Sequence, residues 1–186
     1  MTLSDYSNLW NTTVVDLSKN YEIAGCAAQI LKNWAIYTAV KNQTDIPEWV
    51  TGVIHYRESS FNLHTWLANG DPLFDHYGTP LETTHVPRGL GPCTTWQDAA
   101  VLSFQNNKIS KNTDWSLPSA LYQLECWNGK GYMNQGILSP YLWSGTNHYT
   151  IGKYSSDGNY DPILKDLQLG CVPILNGLQI SGIVFS

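Results

Sequence analysis

Charge is scarce in this chain. Asp, Glu, Lys and Arg make up 13% of its 186 residues, and the formal net charge is −5 with histidines neutral. No basic block occurs, which argues against a nucleic-acid partner. No apolar run is long enough to cross a bilayer, and the start, Met1 to Asp5, is polar rather than basic and then apolar. The expectation is a chain made in a cytosol, with no secretory signal and no membrane insertion. Cysteine stands at 26, 93, 126 and 171 and never as a Cys-x-x-Cys pair, so no structural zinc site is expected. Four thiols allow two disulfides by count, but the spacing specifies none. Cys26 and Cys126 fall in helical apolar patterns and read as buried thiols. There is no internal repeat, low-complexity tract or linker. The reading is one domain over 1–186, large enough to bury a core without crosslinks.

What the chain has in excess is aromatic. Eight Trp and eleven Tyr exceed what a core of this size needs. Rings that are apolar on the face and polar at one tip suit sugar recognition as well as packing.

Most of the periodicity is helical. Ser4 to Leu17 carries Tyr6, Leu9, Trp10, Val14 and Leu17 on one side, and Ser18 to Asn20 breaks it. Ile23 to Val40 reads as one helix, with Ile23, Ala27, Ile30, Leu31, Trp34 and Tyr37 as its apolar stripe. Asp45 reads as the N-cap of the next helix, with Pro47 and Glu48 in its first turn. Thr95 opens a further helix to about Asn106 through a capping-box-like Asp98. Ser116 opens another to about Trp127, closed by Asn128-Gly129. Gly129 to Gly136 reads as a loop, Ser139-Pro140 as the start of a short helical turn, and Gly145 to Asn159 as polar and aromatic. Asp161-Pro162 predicts a last helix or two, broken at Pro173, and the apolar end from Ile180 to Phe185 should pack on the core. Between Ser59 and Pro92, glycines and prolines forbid a long helix. Short β-hairpin pieces fit there, such as Leu81 to Val86.

One carboxylate stands out. Val50, Val53, Ile54 and Arg57 put Glu58 in the last turn of the helix that follows Asp45. There it meets the carbonyl end of the helix dipole, with Trp49, Ile54 and Phe61 nearby, so a raised pKa is the expected direction. A general acid working near neutral pH needs that. The plain alternative is a surface residue paired with Arg57 or a lysine.

Glu58-Ser59-Ser60-Phe61-Asn62 resembles the Glu-Ser-x-Phe-Asn signature of soluble lytic transglycosylases and goose-type lysozymes. Asn69 to Leu73, Thr84 to Pro87, Leu121 to Glu125, Trp127 to Tyr132 and Ser139 to Ser144 resemble motifs of small phage and bacterial lysozyme-like proteins. The likeness runs from about Pro47 to about Tyr154. It implies a mainly α (α+β) lysozyme-like fold, a helical domain with a small β-hairpin beside an active-site cleft. It also implies an endolysin-type muramidase cutting the β-1,4 bond between N-acetylmuramic acid and N-acetylglucosamine, with Glu58 as the acid. No cofactor or metal is implied. The partner is the peptidoglycan glycan strand, met by a monomer made in a host cytoplasm and released to the wall, as a holin does for phage endolysins. The net negative charge sits awkwardly with that anionic substrate.

Glycoside cleavage commonly uses a second carboxylate. Asp71, in the Asn69-Gly70-Asp71-Pro72 turn, is the first candidate, with Asp75 in reserve. Good turn chemistry explains Asp71 equally well. Thr84, or Thr83, would position a water beside it. The resemblance makes the distal loops the sugar floor: Tyr132, Tyr141, Trp143 and Tyr149 for stacking, Asn128, Asn147 and His148 for hydrogen bonds. Each also fits packing or capping. Gly89-Leu90-Gly91-Pro92 lacks the Met-Gln of the transglycosylases, which mostly work without a second carboxylate and yield a 1,6-anhydro product. That outcome, and chitinase-like or chitosanase-like cleavage, stay open beside hydrolysis. Three other classes are weaker. A zinc amidase would draw on His55, His64, His76 and His85, but no His-Glu-x-x-His occurs. A cysteine amidohydrolase would pair Cys93 with His85, but no nucleophile signature surrounds Cys93. A glycan-binding module could keep the fold without catalysis.

Overall fold

The computed structural model describes residues 1–156 and 158–185, leaving aside the side chain of Ser110; Asp157, in the polar 145–159 segment, lies outside the described residues. The chain is mainly helical, with a small two-stranded antiparallel sheet. It forms two compact units, one of Met1–Ala28 with Asp114–Ser186, the other of Gln29–Thr113.

The 29–113 unit is built on three helices, α3 (Trp34–Thr44), α4 (Glu48–Ser59) and α5 (Trp96–Asn107). Helix α3 packs on both others. Helix α4 is buried on every side from Glu48 to Tyr56. Such a helix needs its polar groups satisfied internally. Lys41 Nζ and Thr38 Oγ1 reach Glu48 at 3.0 and 3.1 Å. Tyr37 Oη lies 3.0 Å from His55 Nδ1. At Thr95 the predicted cap forms: its hydroxyl accepts from the Asp98 amide at 3.2 Å and donates to the Asp98 carboxylate at 2.7 Å.

Residues 59–95 hold no regular strand, only the isolated bridges Thr65–Pro72 and Phe74–Pro80. The strand expected over Leu81–Val86 is therefore corrected to a loop. Thr83 closes it. Its amide donates to Leu90 O, and its own carbonyl accepts from the Gly89 amide. Its hydroxyl donates to Pro87 O and accepts from the Leu90 amide. Trp66, Leu67 and Leu73 are fully buried beneath this segment, and the Trp66 indole donates to Leu81 O at 3.1 Å.

Two boundaries upstream are also corrected. The single helix expected over Ile23–Val40 is two, α2 (Asn20–Lys32) and α3, meeting at Asn33. The Asn33 backbone leaves the helical region (φ −90°, ψ 5°), and its amide side chain donates to Tyr37 Oη at 3.3 Å. Asp45 is not an N-cap. It closes α3 in the left-handed region (φ 58°), its N–H donating to Lys41 O at 2.8 Å. Aspartate tolerates that conformation better than most residues.

In the other unit, α1 (Leu3–Asn11) packs on α6 (Leu117–Trp127), and α8 (Pro140–Trp143) packs on α6 and on α9 (Cys171–Ile180). Helix α1 starts from a capping box between Thr2 and Asp5 and is shorter than the expected Ser4–Leu17 span. Helix α6 ends as expected at Asn128, followed by Gly129 at φ 96°. The expected Gly129–Gly136 loop contains a short helix, α7 (Gly131–Asn134). The sheet pairs β1 (Lys153–Ser156) with β2 (Asn159–Asp161). The helix expected from Asp161-Pro162 does not form. The Asp161 carboxylate takes the amides of Ile163 and Leu164 at 2.9 and 3.2 Å, which competes with a helical turn. Pro173 instead sits in the first turn of α9, where its missing N–H costs nothing. The apolar end does not pack as a whole. Ile180 and Val184 are exposed, while Phe185 meets Trp10 edge-on, with ring centroids 6.1 Å apart.

Candidate active site

Helix α4 delivers Glu58 to its last turn, half-buried. The chain then turns sharply. Ser60 and Phe61 both adopt positive φ, 51° and 67°, a conformation that costs non-glycine residues of order 1 kcal/mol each. Local contacts hold the pair in place. The Ser60 amide donates to Tyr56 O at 2.9 Å and the Phe61 amide to His55 O at 3.3 Å. The Phe61 ring meets those of Tyr56 and His55 at 5.4 and 5.8 Å. Two left-handed non-glycine residues two and three positions after a carboxylate are the kind of outlier that accompanies functional sites.

His55, one turn before Glu58, is fully buried between Tyr37, Phe61 and Trp96. Burial pushes its pKa down to about 4, against the opposing pull of the Asn62 backbone.

The Asn69–Asp71 turn lies against the end of α4. Gly70 takes φ 75°, and a Cβ there would stand 3.5 Å from Glu58 O. The glycine is needed for its conformation rather than for space. Asp71 follows, 6% exposed. Its Oδ2 accepts from the amides of Thr84 and His85 at 2.7 and 2.9 Å, from Asn69 Nδ2 at 3.2 Å and from Thr84 Oγ1 at 3.3 Å. Its Oδ1 lies 2.5 Å from His85 Nδ1. Burial pushes the carboxyl up, but the bonds from the His85 amide and ring and from the Thr84 amide outweigh it and hold the group well below the usual carboxylate range. An ionised carboxylate only accepts, so Nδ1 of His85 carries the proton in this pair. The His85 side chain is otherwise open, 79% exposed.

Asp71 and Thr84 are thus brought together, and both belong to the unit that carries Glu58. Asp75 is occupied by its own turn, accepting from the Tyr77 and Thr79 amides at 2.8 Å each. Thr83 is occupied by loop closure and has no hydroxyl proton to offer a water.

The residues expected to floor a sugar site all fall in the other unit. Trp143 is fully buried and Tyr141 nearly so. Their rings are core, with no face to offer a glycan. Tyr132 is buried as well, its hydroxyl accepting from the Tyr154 amide at 2.9 Å. Tyr149 accepts from the Asp166 amide at 2.8 Å. His148 Nε2 lies 2.9 Å from Leu9 O, and Asn147 clamps Val14 and Thr12 at 2.8 and 3.1 Å. Asn128 is exposed and caps α6.

Sequence reasoning weighed His85 only as a metal ligand or a thiol partner and missed its bond to Asp71. The available signal was a Thr-His pair thirteen and fourteen residues after an Asn-Gly-Asp turn. Among the described residues no group of three or more His, Cys, Asp or Glu side chains is arranged to hold a metal ion. The four cysteines are free thiols, and among the described residues no helix is long and apolar enough to cross a membrane. No family model matches the chain, and neither a curated protein nor a solved structure matches it.

Proposed function

We propose that this chain is a peptidoglycan-degrading glycosidase of the lysozyme-like, endolysin type, with Glu58 as the general acid. One observation carries the reading. Glu58 ends a buried helix at a left-handed turn, and the Asn69–Asp71 turn, bearing an ionised carboxylate, lies against that helix end. Two carboxyl groups in unlike surroundings are the usual equipment for glycoside cleavage. The Glu58–Asn62 signature supplies the substrate class, a β-1,4-linked N-acetylated glycan, met at the cell wall after release from the cytoplasm.

A second reading, transglycosylation with a 1,6-anhydro product, is favoured by one feature. The Asp71 carboxylate is so thoroughly hydrogen-bonded that it is a poor nucleophile.

The test is digestion of purified peptidoglycan by the native protein and by Glu58→Gln, with mass spectrometry of the soluble fragments. Release by the native protein alone supports the reading, and the fragment ends choose between hydrolysis and transglycosylation. Equal release by both proteins removes Glu58 from the mechanism. Binding of the glycan without release by either favours a non-catalytic module.

A further inference from the structure

Asp71 faces inward. Its oxygens are engaged by Thr84, Asn69 and His85, and it is 6% exposed, so it is poorly placed to take a proton from a solvent water. The group it holds reaches outward instead. Asp71 fixes the His85 ring by Nδ1 and, through the His85 amide, fixes the backbone that carries it. Asn69 Nδ2 donates to His85 O at 3.1 Å, so the same turn grips the residue at its carbonyl too. The Thr83 closure holds the rest of the loop. With Nδ1 committed to Asp71, the exposed ring presents Nε2 to solvent. A buried carboxylate that sets the tautomer and orientation of an imidazole is the arrangement that makes histidine a base.

We propose that His85 is the base that deprotonates the attacking water and that Asp71 is its positioning residue. This rests on the glycosidase reading. Glu58 gives its proton to the glycosidic oxygen as the C1–O bond breaks, and the bonding pair leaves with that oxygen. Water attacks C1 and forms the new C–O bond, and the water's proton passes to His85 Nε2. The proton returns through solvent from His85 to the Glu58 carboxylate, which restores both groups. Because water adds opposite the leaving group, the anomeric configuration inverts.

The test uses the full chain on purified peptidoglycan and compares native protein, Glu58→Gln, Asp71→Asn and His85→Ala, the last with and without added imidazole. The expected result has four parts. Native protein gives reducing ends. His85→Ala loses about 10²-fold or more in kcat at a similar KM, the range for loss of a general base. Asp71→Asn loses less. Imidazole restores part of the His85→Ala rate, which a merely structural role would not allow. Native-like kcat in His85→Ala overturns the proposal, and so does a loss that imidazole does not relieve. Glu58-dependent anhydro ends from the native protein also overturn it, while leaving the glycosidase reading standing. No cleavage by native protein, or equal cleavage by Glu58→Gln, overturns the glycosidase reading and the base with it. Should His85→Ala fail to fold, long-range proton–nitrogen spectra of the native protein decide. Protonated Nδ1 with bare Nε2 is expected for the neutral ring, and the opposite tautomer overturns the assignment.

Discussion

Ser139 Oγ donates to Glu125 Oε2 at 2.8 Å inside the unit built on α1, α6, α8 and α9. The bond joins two stretches that the sequence shows far apart, Leu121–Glu125 and Ser139–Ser144. Glu125 is 3% exposed. Its other oxygen and the Tyr6 hydroxyl are both buried with no hydrogen-bond partner among the described residues.

Burial pushes the Glu125 pKa up to about 7, against the Ser139 bond. An acid whose folded pKa is raised binds a proton that the unfolded chain has already lost. The contribution of Glu125 to stability therefore falls as pH rises from about 4.5 to about 7 and is flat above that. Glu125→Gln should remove this fall and raise the melting temperature at pH 7 relative to pH 5. The effect is at most of order 3 kcal/mol. Thermal melts of both proteins across that range check it. An unchanged pH slope in the variant would mean that Glu125 ionises normally.

His55 supplies the opposite slope. Its folded pKa of about 4 lies below its ordinary 6.5, so the unfolded chain takes up the extra proton. Stability is complete above about pH 6.5 and is lost as pH falls toward 4. In a single cooperative transition the two groups nearly cancel, and the native melting temperature varies little between about pH 4.5 and 6.5. Glu125→Gln should expose a rising slope there, and His55→Asn a falling one. A strong slope in the native protein would contradict the pairing.

Asp71→Asn should loosen the loop that carries Thr84 and His85. The substitution places an NH₂ among donors and costs about 2–3 kcal/mol. Hydrogen exchange at the Thr84 and His85 amides should quicken more than exchange within α4. Because the folded pKa of Asp71 is lowered, its contribution is present above about 3.8 and is lost as pH falls below that value. Acid unfolding of Asp71→Asn should accordingly be less steep. Native-like exchange at the Thr84 and His85 amides would show that the loop does not depend on this carboxylate.

Gly52→Ala sets two effects against each other. Alanine in a helix gains about 1 kcal/mol over glycine. Here the new Cβ would stand 2.8 Å from Ile30 Cγ2, a fully buried side chain, and overpacking costs about 1–3 kcal/mol. The clash should win, with a net loss of about 1 kcal/mol in chemical denaturation. Adding Ile30→Val should recover little of it, because valine keeps both γ carbons, 2.8 and 3.0 Å from the new Cβ, and loses only the δ carbon at 3.2 Å.

How much was legible follows the range of the interactions. Thr95 and Asn128-Gly129 act within a turn of their own positions, Ser116 and Ser139 each precede a proline in the first turn, and the helices they bound were readable. Glu58 at a helix end was readable for the same reason. Asn33 was not, because its side chain is claimed by Tyr37 on the helix that follows. Asp45 failed because one residue type serves as an N-cap and as a left-handed closing residue, and local sequence does not choose between them. Asp71 read as a turn, which it is. Its donors, though, arrive from Thr84 and His85 beyond an irregular segment with no period to follow. The aromatic excess misled in part. Trp143 and Tyr141 are core, and composition alone cannot separate a ring that packs from a ring that binds.

The closure at Thr83 bears on how the chain meets proteases. Arg88 and Val86, two residues before it, are exposed, in a loop whose composition would suggest easy nicking. Proteases read extended backbone across several residues, and this loop is shut at both ends by Thr83 and gripped from below by Asp71. Cleavage after Arg88 must wait for those bonds to open, so this exposed arginine should be cut no faster than the loop unlatches.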